Sequence, residues 1–172
     1  MTIGDHDIED AAKDLFHAEQ TGQQIGLLSL RHPNLDMEGA YAIQAALIRR
    51  KQQAGRKKIG WKIGLTSRAM QQALDIDIPD SGVLLDDMAF TNGTVIPAGR
   101  FIQPRIEAEI AFVMKTPLAG DHVRRSDVLE ATDHVVAAIE ILDTRIRRQD
   151  PKTGTARTIV DTIADNAANA GI

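Results

Sequence analysis

Cysteine is absent from the 172 residues. That excludes disulfides, zinc–thiolate centres and thiol nucleophiles. No apolar run is long enough to span a bilayer. An excess of positive charge is also missing: the formal net charge is -4. Nucleic acid and anionic membrane are therefore disfavoured as main partners. The first residues, Met1-Thr2-Ile3-Gly4-Asp5-His6-Asp7, are acidic and do not have a signal-peptide layout. A cytoplasmic protein is expected. What is present is the balance of a globular chain, 43% hydrophobic and 26% charged. This length suits one domain, or one domain with a small appendage, and allows a real core.

The chain is organised around Pro104 to Lys115. Period-two alternation predicts a strand there. Ile106, Ala108, Ile110, Phe112 and Met114 share one face; Glu107, Glu109, Ala111 and Val113 share the other. Glu107 and Glu109 lie roughly 6–7 Å apart along one face, at a rise of ~3.3 Å per residue. A hard cation between them would take an oxygen from each. The same pattern also fits a solvated strand face that happens to carry two acids. His134 to Leu142 reads as a second strand, apolar on both faces and so expected to be buried, with Glu140 as its only internal acid. A buried carboxylate needs a cation or a proton. An arginine would serve, and so would a metal shared with Glu107 and Glu109. Three carboxylates suit magnesium or manganese better than zinc.

Lys57 to Thr66 also alternates. Lys62 shares its face with Gly60 and Gly64, which leave room for a ligand or another backbone. An exposed strand lysine is the plainer alternative. Asp77 to Gly82, including Asp80, reads as loop. Upstream, Asp7 is expected to cap a helix from about Ile8 to Gln20, with Gly22 as its stop. Ile25 to Pro33 is expected to be a connector. A second helix is expected from Asp36 to about Ala54, ended by Gly55. Thr66 or Ser67 is expected to cap a short helix over Arg68 to Leu74, with Ala69, Met70, Ala73 and Leu74 inward. Ser126 is expected to cap another, through about Thr132. His6, His17 and His32 are scattered and read as surface residues. Arg145 to Arg157 is a basic stretch in an acidic protein, either a solvated charge run or an anion-binding lid. Thr158 to about Asn166 reads as helical, and Asp165 to Asn169 as a polar turn.

Three motifs, Gly60-Trp61-Lys62-Ile63-Gly64-Leu65-Thr66-Ser67, Pro104-Arg105-Ile106-Glu107-Ala108-Glu109 and Asp165-Asn166-Ala167-Ala168-Asn169-Ala170-Gly171, resemble the hydratase and decarboxylase branch of the fumarylacetoacetate hydrolase superfamily. The Asp150-Pro151-Lys152-Thr153-Gly154-Thr155 insertion resembles the branch's hydratases of seven-carbon diacids. The resemblance implies an α+β fold. A helical N-terminal lobe, 1–56, would precede a β-rich catalytic domain, 57–172, of mixed sandwich or roll type. It also implies that the chain stops short of the family's last strands.

By the same resemblance, Glu107, Glu109 and Glu140 would hold Mg2+ or Mn2+. Lys62 and Asp80 would be catalytic. For the substrate's distal carboxylate the candidates are Arg147 and Arg148, with Arg145 and Arg157 behind them, because arginine binds a carboxylate bidentately. The implied reaction is metal-dependent hydration of a 2-oxo-4-ene diacid to its 4-hydroxy product in aromatic meta-cleavage catabolism. Decarboxylation of a sister substrate, or a non-catalytic subunit, are the alternatives. The implied partners are the small diacid and other copies of the chain in a homo-oligomer. A complex with the sister decarboxylase or a downstream aldolase is a further implication.

Overall fold

Asp36 shows how local chemistry starts this fold. In the computed structural model, which describes residues 3–74 and 78–172, its side chain accepts a hydrogen bond from the Gly39 N–H at 2.9 Å. This side-chain cap starts a helix over Met37–Gln53. The preceding long helix, α1 (Asp5–Thr21), begins earlier than its sequence suggests. Gly4 is its N-cap, so Asp7 lies inside the first turn rather than capping it. Gly22 ends α1 at φ 68°, the left-handed conformation expected of a C-terminal glycine. The connector contains a short helix, α2 (Leu28–Arg31), which makes Met37–Gln53 α3.

The remaining elements are β1 (Lys58–Gly64), α4 (Arg68–Leu74), β2 (Asp80–Leu85), β3 (Arg105–Met114), α5 (Arg125–Ala131), β4 (Thr132–Leu142), α6 (Ile159–Ala164) and β5 (Asn169–Gly171). The chain is thus a mixed helix-and-sheet fold. Asp80 lies on a strand, not in the loop expected for it, because it pairs with Gly64 across the β1–β2 ribbon. Asp77 lies outside the described residues, as do the side chains of Met70, Ala73 and Leu74; Ala69 is exposed. Helix α5 starts at Arg125, and Ser126 is not its cap: the Asp127 carboxylate accepts from the Arg124 N–H instead.

The main core joins α1 and α3 through Ala11, Leu15, Ile43 and Leu47. Ile146, Ile163 and Ala164 enter the same core from far along the chain. A second cluster packs Ile48 of α3 against Val83, Leu84 and Leu85 of β2. Burying each such side chain stabilises by about 1.5–3 kcal/mol. The second cluster fixes β2, and hence Asp80, against α3.

Two antiparallel sheets carry the polar residues: β1–β2, and β3–β4–β5. The β3–β4 ribbon is more exposed than its apolar sequence suggests. Ile106, Ile110, Phe112, Val135 and Ile139 are all solvent-accessible, and burial begins only at Glu140 and Ile141. The expected full burial of His134 to Leu142 is therefore corrected. Only the end of the ribbon that carries Glu140 is anchored, because β5 pairs there with Ile141 and Leu142.

Candidate functional site

Glu107 and Glu140 are directly opposite each other in the β3–β4 register. Opposed residues of an antiparallel pair project to the same face, and like charges so placed repel. Glu109, two residues on, projects to that face as well. One carboxylate oxygen from each of the three residues lies within 4.8 Å of the others. Alternation in the sequence places Glu107 beside Glu109. Register brings in Glu140, and register is invisible in a single strand.

Burial differs across the three. Glu140 is 6% exposed, whereas Glu107 and Glu109 reach solvent. Burial pushes the Glu140 carboxyl above its ordinary range, and the charge of Lys62 only partly offsets it. Glu107 and Glu109 push it further in the same direction. Glu140 Oε1 is buried without a hydrogen-bond partner. An orphaned buried oxygen beside two more carboxylates fits a hard divalent cation, which takes oxygen ligands and leaves positions for water or substrate.

Lys62 reaches this site from the other sheet. Its Nζ lies 3.6 Å from Glu140 Oε1, longer than a hydrogen bond, and its side chain is 13% exposed. The exposed-lysine alternative is thereby set aside. Asp80 projects from the same face of the β1–β2 ribbon, two register positions away, and is 5% exposed. Burial pushes its carboxyl upward, opposed by the Lys62 charge. Asp80 Oδ1 also has no hydrogen-bond partner. A half-buried lysine and a buried aspartate therefore flank one edge of the carboxylate cluster. Such a pair can hold and move protons.

The arginines separate into different roles. Arg145 is 2% exposed. It pairs with Asp165 and donates to the carbonyls of Asp165 and Asn169. Arg157 donates to the Thr144 hydroxyl. These two hold the fold together. The Arg147 side chain is exposed, and its N–H donates to the Ile25 carbonyl. Arg148 is half-buried; burial lowers its pKa, and the charge of Arg105, two residues before Glu107, lowers it further.

The polar turn expected at Asp165 to Asn169 is present, but its backbone at Asn166, Ala167 and Ala168 was not foreseen. All three are left-handed, at φ 54°, 52° and 56°. Such a conformation costs roughly 1–2 kcal/mol per non-glycine residue. Asn166 offsets it by acting as a strand neighbour: its side chain accepts from the Val83 N–H at 2.7 Å and donates to the Val83 carbonyl at 2.9 Å. Asn169 donates to the same carbonyl at 3.0 Å. The polar turn is thus a clamp on β2. Asp143 does similar work on the approach to β3, accepting from the Ile102 and Gln103 N–H groups at 2.9 and 2.7 Å.

Comparison with known proteins places this geometry. No family model matches the chain. It is 49% identical over 161 residues to the 2-oxo-hept-4-ene-1,7-dioate hydratase of Escherichia coli, covering 94% of this chain and 60% of that protein. It is 42% identical over 161 residues to a 2-keto-4-pentenoate hydratase of Paraburkholderia xenovorans, at 94% and 58% coverage. Among solved structures it resembles 4-oxalocrotonate decarboxylase from Pseudomonas putida G7, complexed with magnesium and adipate. That match has a TM-score of 0.87 and 30% identity, covering 98% of this chain and 62% of the other. Over nearly its whole length the chain is thus similar to these hydratases and to this decarboxylase, in line with its resemblance to the hydratase and decarboxylase branch of the fumarylacetoacetate hydrolase superfamily. It spans about three fifths of the length of these relatives. The same decarboxylase has also been solved with calcium and acetate, at a TM-score of 0.85 and 31% identity over 98% of this chain and 61% of that one.

Proposed function

We propose that the chain carries the metal and proton-handling site of a hydratase acting on 2-oxo-hept-4-ene-1,7-dioate. The observation that supports this most is the cross-strand opposition of Glu107 and Glu140, with Glu109 beside them. Three clustered carboxylates repel unless a cation or protons neutralise them. Identity to the Escherichia coli hydratase, at 49%, exceeds that to the decarboxylase, at 30%, and so favours hydration.

Glu107, Glu109 and Glu140 would hold the ion, with magnesium or manganese as the proposed occupant. The bound ion would supply Lewis-acid polarisation of the substrate's C1 carboxylate and 2-oxo oxygens. Lys62 sits beside Glu140 and offers a nearby positive charge for the oxygen that gains negative charge on enolisation. The dienol first ketonises: the enol O–H proton leaves, C5 gains a proton, and the C2=C3 and C4=C5 double bonds become C2=O and a conjugated C3=C4. Water then adds, its oxygen bonding to C4 and a proton going to C3. The product is 4-hydroxy-2-oxoheptanedioate. Asp80, buried and pushed towards its protonated form, can hold and return one of these protons. Arg148 is the stronger arginine candidate for the distal carboxylate, because Arg105 lies near it and Arg147 points to solvent.

The test is turnover of 2-hydroxyhepta-2,4-dienedioate by the chain with Mn2+, followed by loss of dienol absorbance and by product analysis. A hydrated diacid supports the proposal. Released carbon dioxide would point to the decarboxylase reaction instead. Mn2+ binding without turnover would assign the chain a metal-holding role only.

A further inference from the structure

The β1–β2 ribbon has an alternating pattern on the face that carries Lys62 and Asp80. Lys62 pairs with Gly82 across the ribbon, and Gly64 pairs with Asp80. The two charged residues therefore lie on one diagonal and the two glycines on the other. Neither glycine is required by its backbone conformation, since neither has a positive φ. Each is required by what its missing side chain leaves room for.

At Gly82 the neighbour is backbone: a Cβ would stand 2.5 Å from the Asn166 carbonyl oxygen. At Gly64 the neighbours are functional. A Cβ there would overlap Asp80 Oδ1, and would lie 3.2 Å from Asp80 Cγ and 3.0 Å from Lys62 Nζ. Asp80 is buried and its side chain is short, so its carboxylate cannot swing into solvent without leaving the face. A methyl group at position 64 would therefore occupy the place where the carboxylate and the ammonium now face each other.

We infer that Gly64 is a positioning residue whose missing side chain forms the seat shared by the Asp80 carboxylate and the Lys62 ammonium. This rests on the proposed roles of Lys62 and Asp80 in the hydratase reaction. It goes beyond them by assigning their mutual placement to a residue with no side chain of its own. The carboxylates of Glu107, Glu109 and Glu140 stand on the other ribbon.

The test is a double-mutant cycle in the 172-residue chain, with Gly64→Ala, Asp80→Ala and the pair. Urea midpoints, Mn2+ affinity and turnover are measured for each. Gly64→Ala is expected to leave Mn2+ affinity within about twofold and to lower kcat more than it changes KM, by at least about tenfold. In the Asp80→Ala background the same change is expected to cost much less of both stability and rate, because the carboxylate it displaces is gone and only the flexible end of Lys62 has to give. If Gly64→Ala alone does not fold, the double variant is expected to. Equal losses of stability in both backgrounds would overturn the inference, as would a double variant that also fails to fold or Gly64→Ala at full kcat. If the unmutated chain binds Mn2+ but does not turn over, the hydratase reading fails for this chain. The urea cycle then decides the seat at Gly64 on its own.

Discussion

Lys62 Nζ and Glu140 Oε1 face each other at 3.6 Å across two different sheets. Their strands are far apart in sequence, and each contributes a mostly buried charge. The contact joins the carboxylate cluster of the β3–β4 ribbon to the Lys62–Asp80 pair of the β1–β2 ribbon. The proposed metal-holding group and the proposed proton-handling group thereby lie in one cluster.

That geometry separates binding from turnover. Lys62→Met should retain Mn2+ binding, because it removes a cation that faces one of the ligands. Turnover should fall by about 10²–10⁴, the usual contribution of a positioned proton-transfer group. Mn2+ titration and dienol turnover on the same preparation check both halves. Loss of Mn2+ affinity together with rate would assign Lys62 to holding the cluster rather than to chemistry.

Asp80 gives a pH-dependent stability. Its carboxyl is pushed up, first by burial, with Lys62 opposing. Its stabilising contribution is therefore complete below the ordinary aspartate pKa of about 3.9 and is lost as pH rises through its higher folded value. Asp80→Asn stays neutral throughout. It should be more stable than the unmutated chain at pH 7, and the difference should shrink towards pH 3. Urea melts at the two pH values check the sign, and turnover should fall in the same variant.

The two neighbouring arginines should behave oppositely. Arg145 is buried against Asp165, so Arg145→Ala leaves a buried charge unpaired and should cost about 3–5 kcal/mol. Arg147→Ala, at an exposed side chain, should change stability by less than about 0.5 kcal/mol. Denaturant melts distinguish them. Arg148→Ala should weaken selection of the diacid over the monoacid, measured as the ratio of their kcat/KM values.

Much of this was legible along single strands and helices. Asp36 and Gly22 marked helix ends where the structure has them, because caps are local chemistry. Glu107 and Glu109 declared a shared face through period two. The cost of burying a lone carboxylate marked Glu140 as a candidate to share a cation with them, and family motifs tied in Lys62. What could not be read was anything set by register or by distant packing. Asp80 looked like loop because its partner, Gly64, lies 16 positions away in the sequence (80 − 64). Arg145 looked like part of a solvated basic run, yet Asp165 and Asn169 make it interior. The glycines flanking Lys62 signalled close approach, and Gly64 does admit a neighbour, Asp80. The left-handed run at Asn166 has no composition signal, since alanine at such φ values is held only by its surroundings.

The clamp on β2 can be tested apart from the chemistry. Gly82→Ala would drive a Cβ into the Asn166 carbonyl, a backbone atom that cannot rotate away. It should destabilise by roughly 1–3 kcal/mol, the usual cost of overpacking. A thermal melt checks it, and an unchanged midpoint would show that the turn yields more easily than its hydrogen bonds imply.

The most direct measurement is Mn2+ binding to the unmutated chain and to Glu140→Gln, followed by water-proton relaxation. One site should be present in the unmutated chain, and its affinity should fall at least about tenfold when one carboxylate oxygen ligand is replaced by a neutral amide. Equal affinity in the two proteins would contradict the account, because Glu140 would then not share an ion with Glu107 and Glu109.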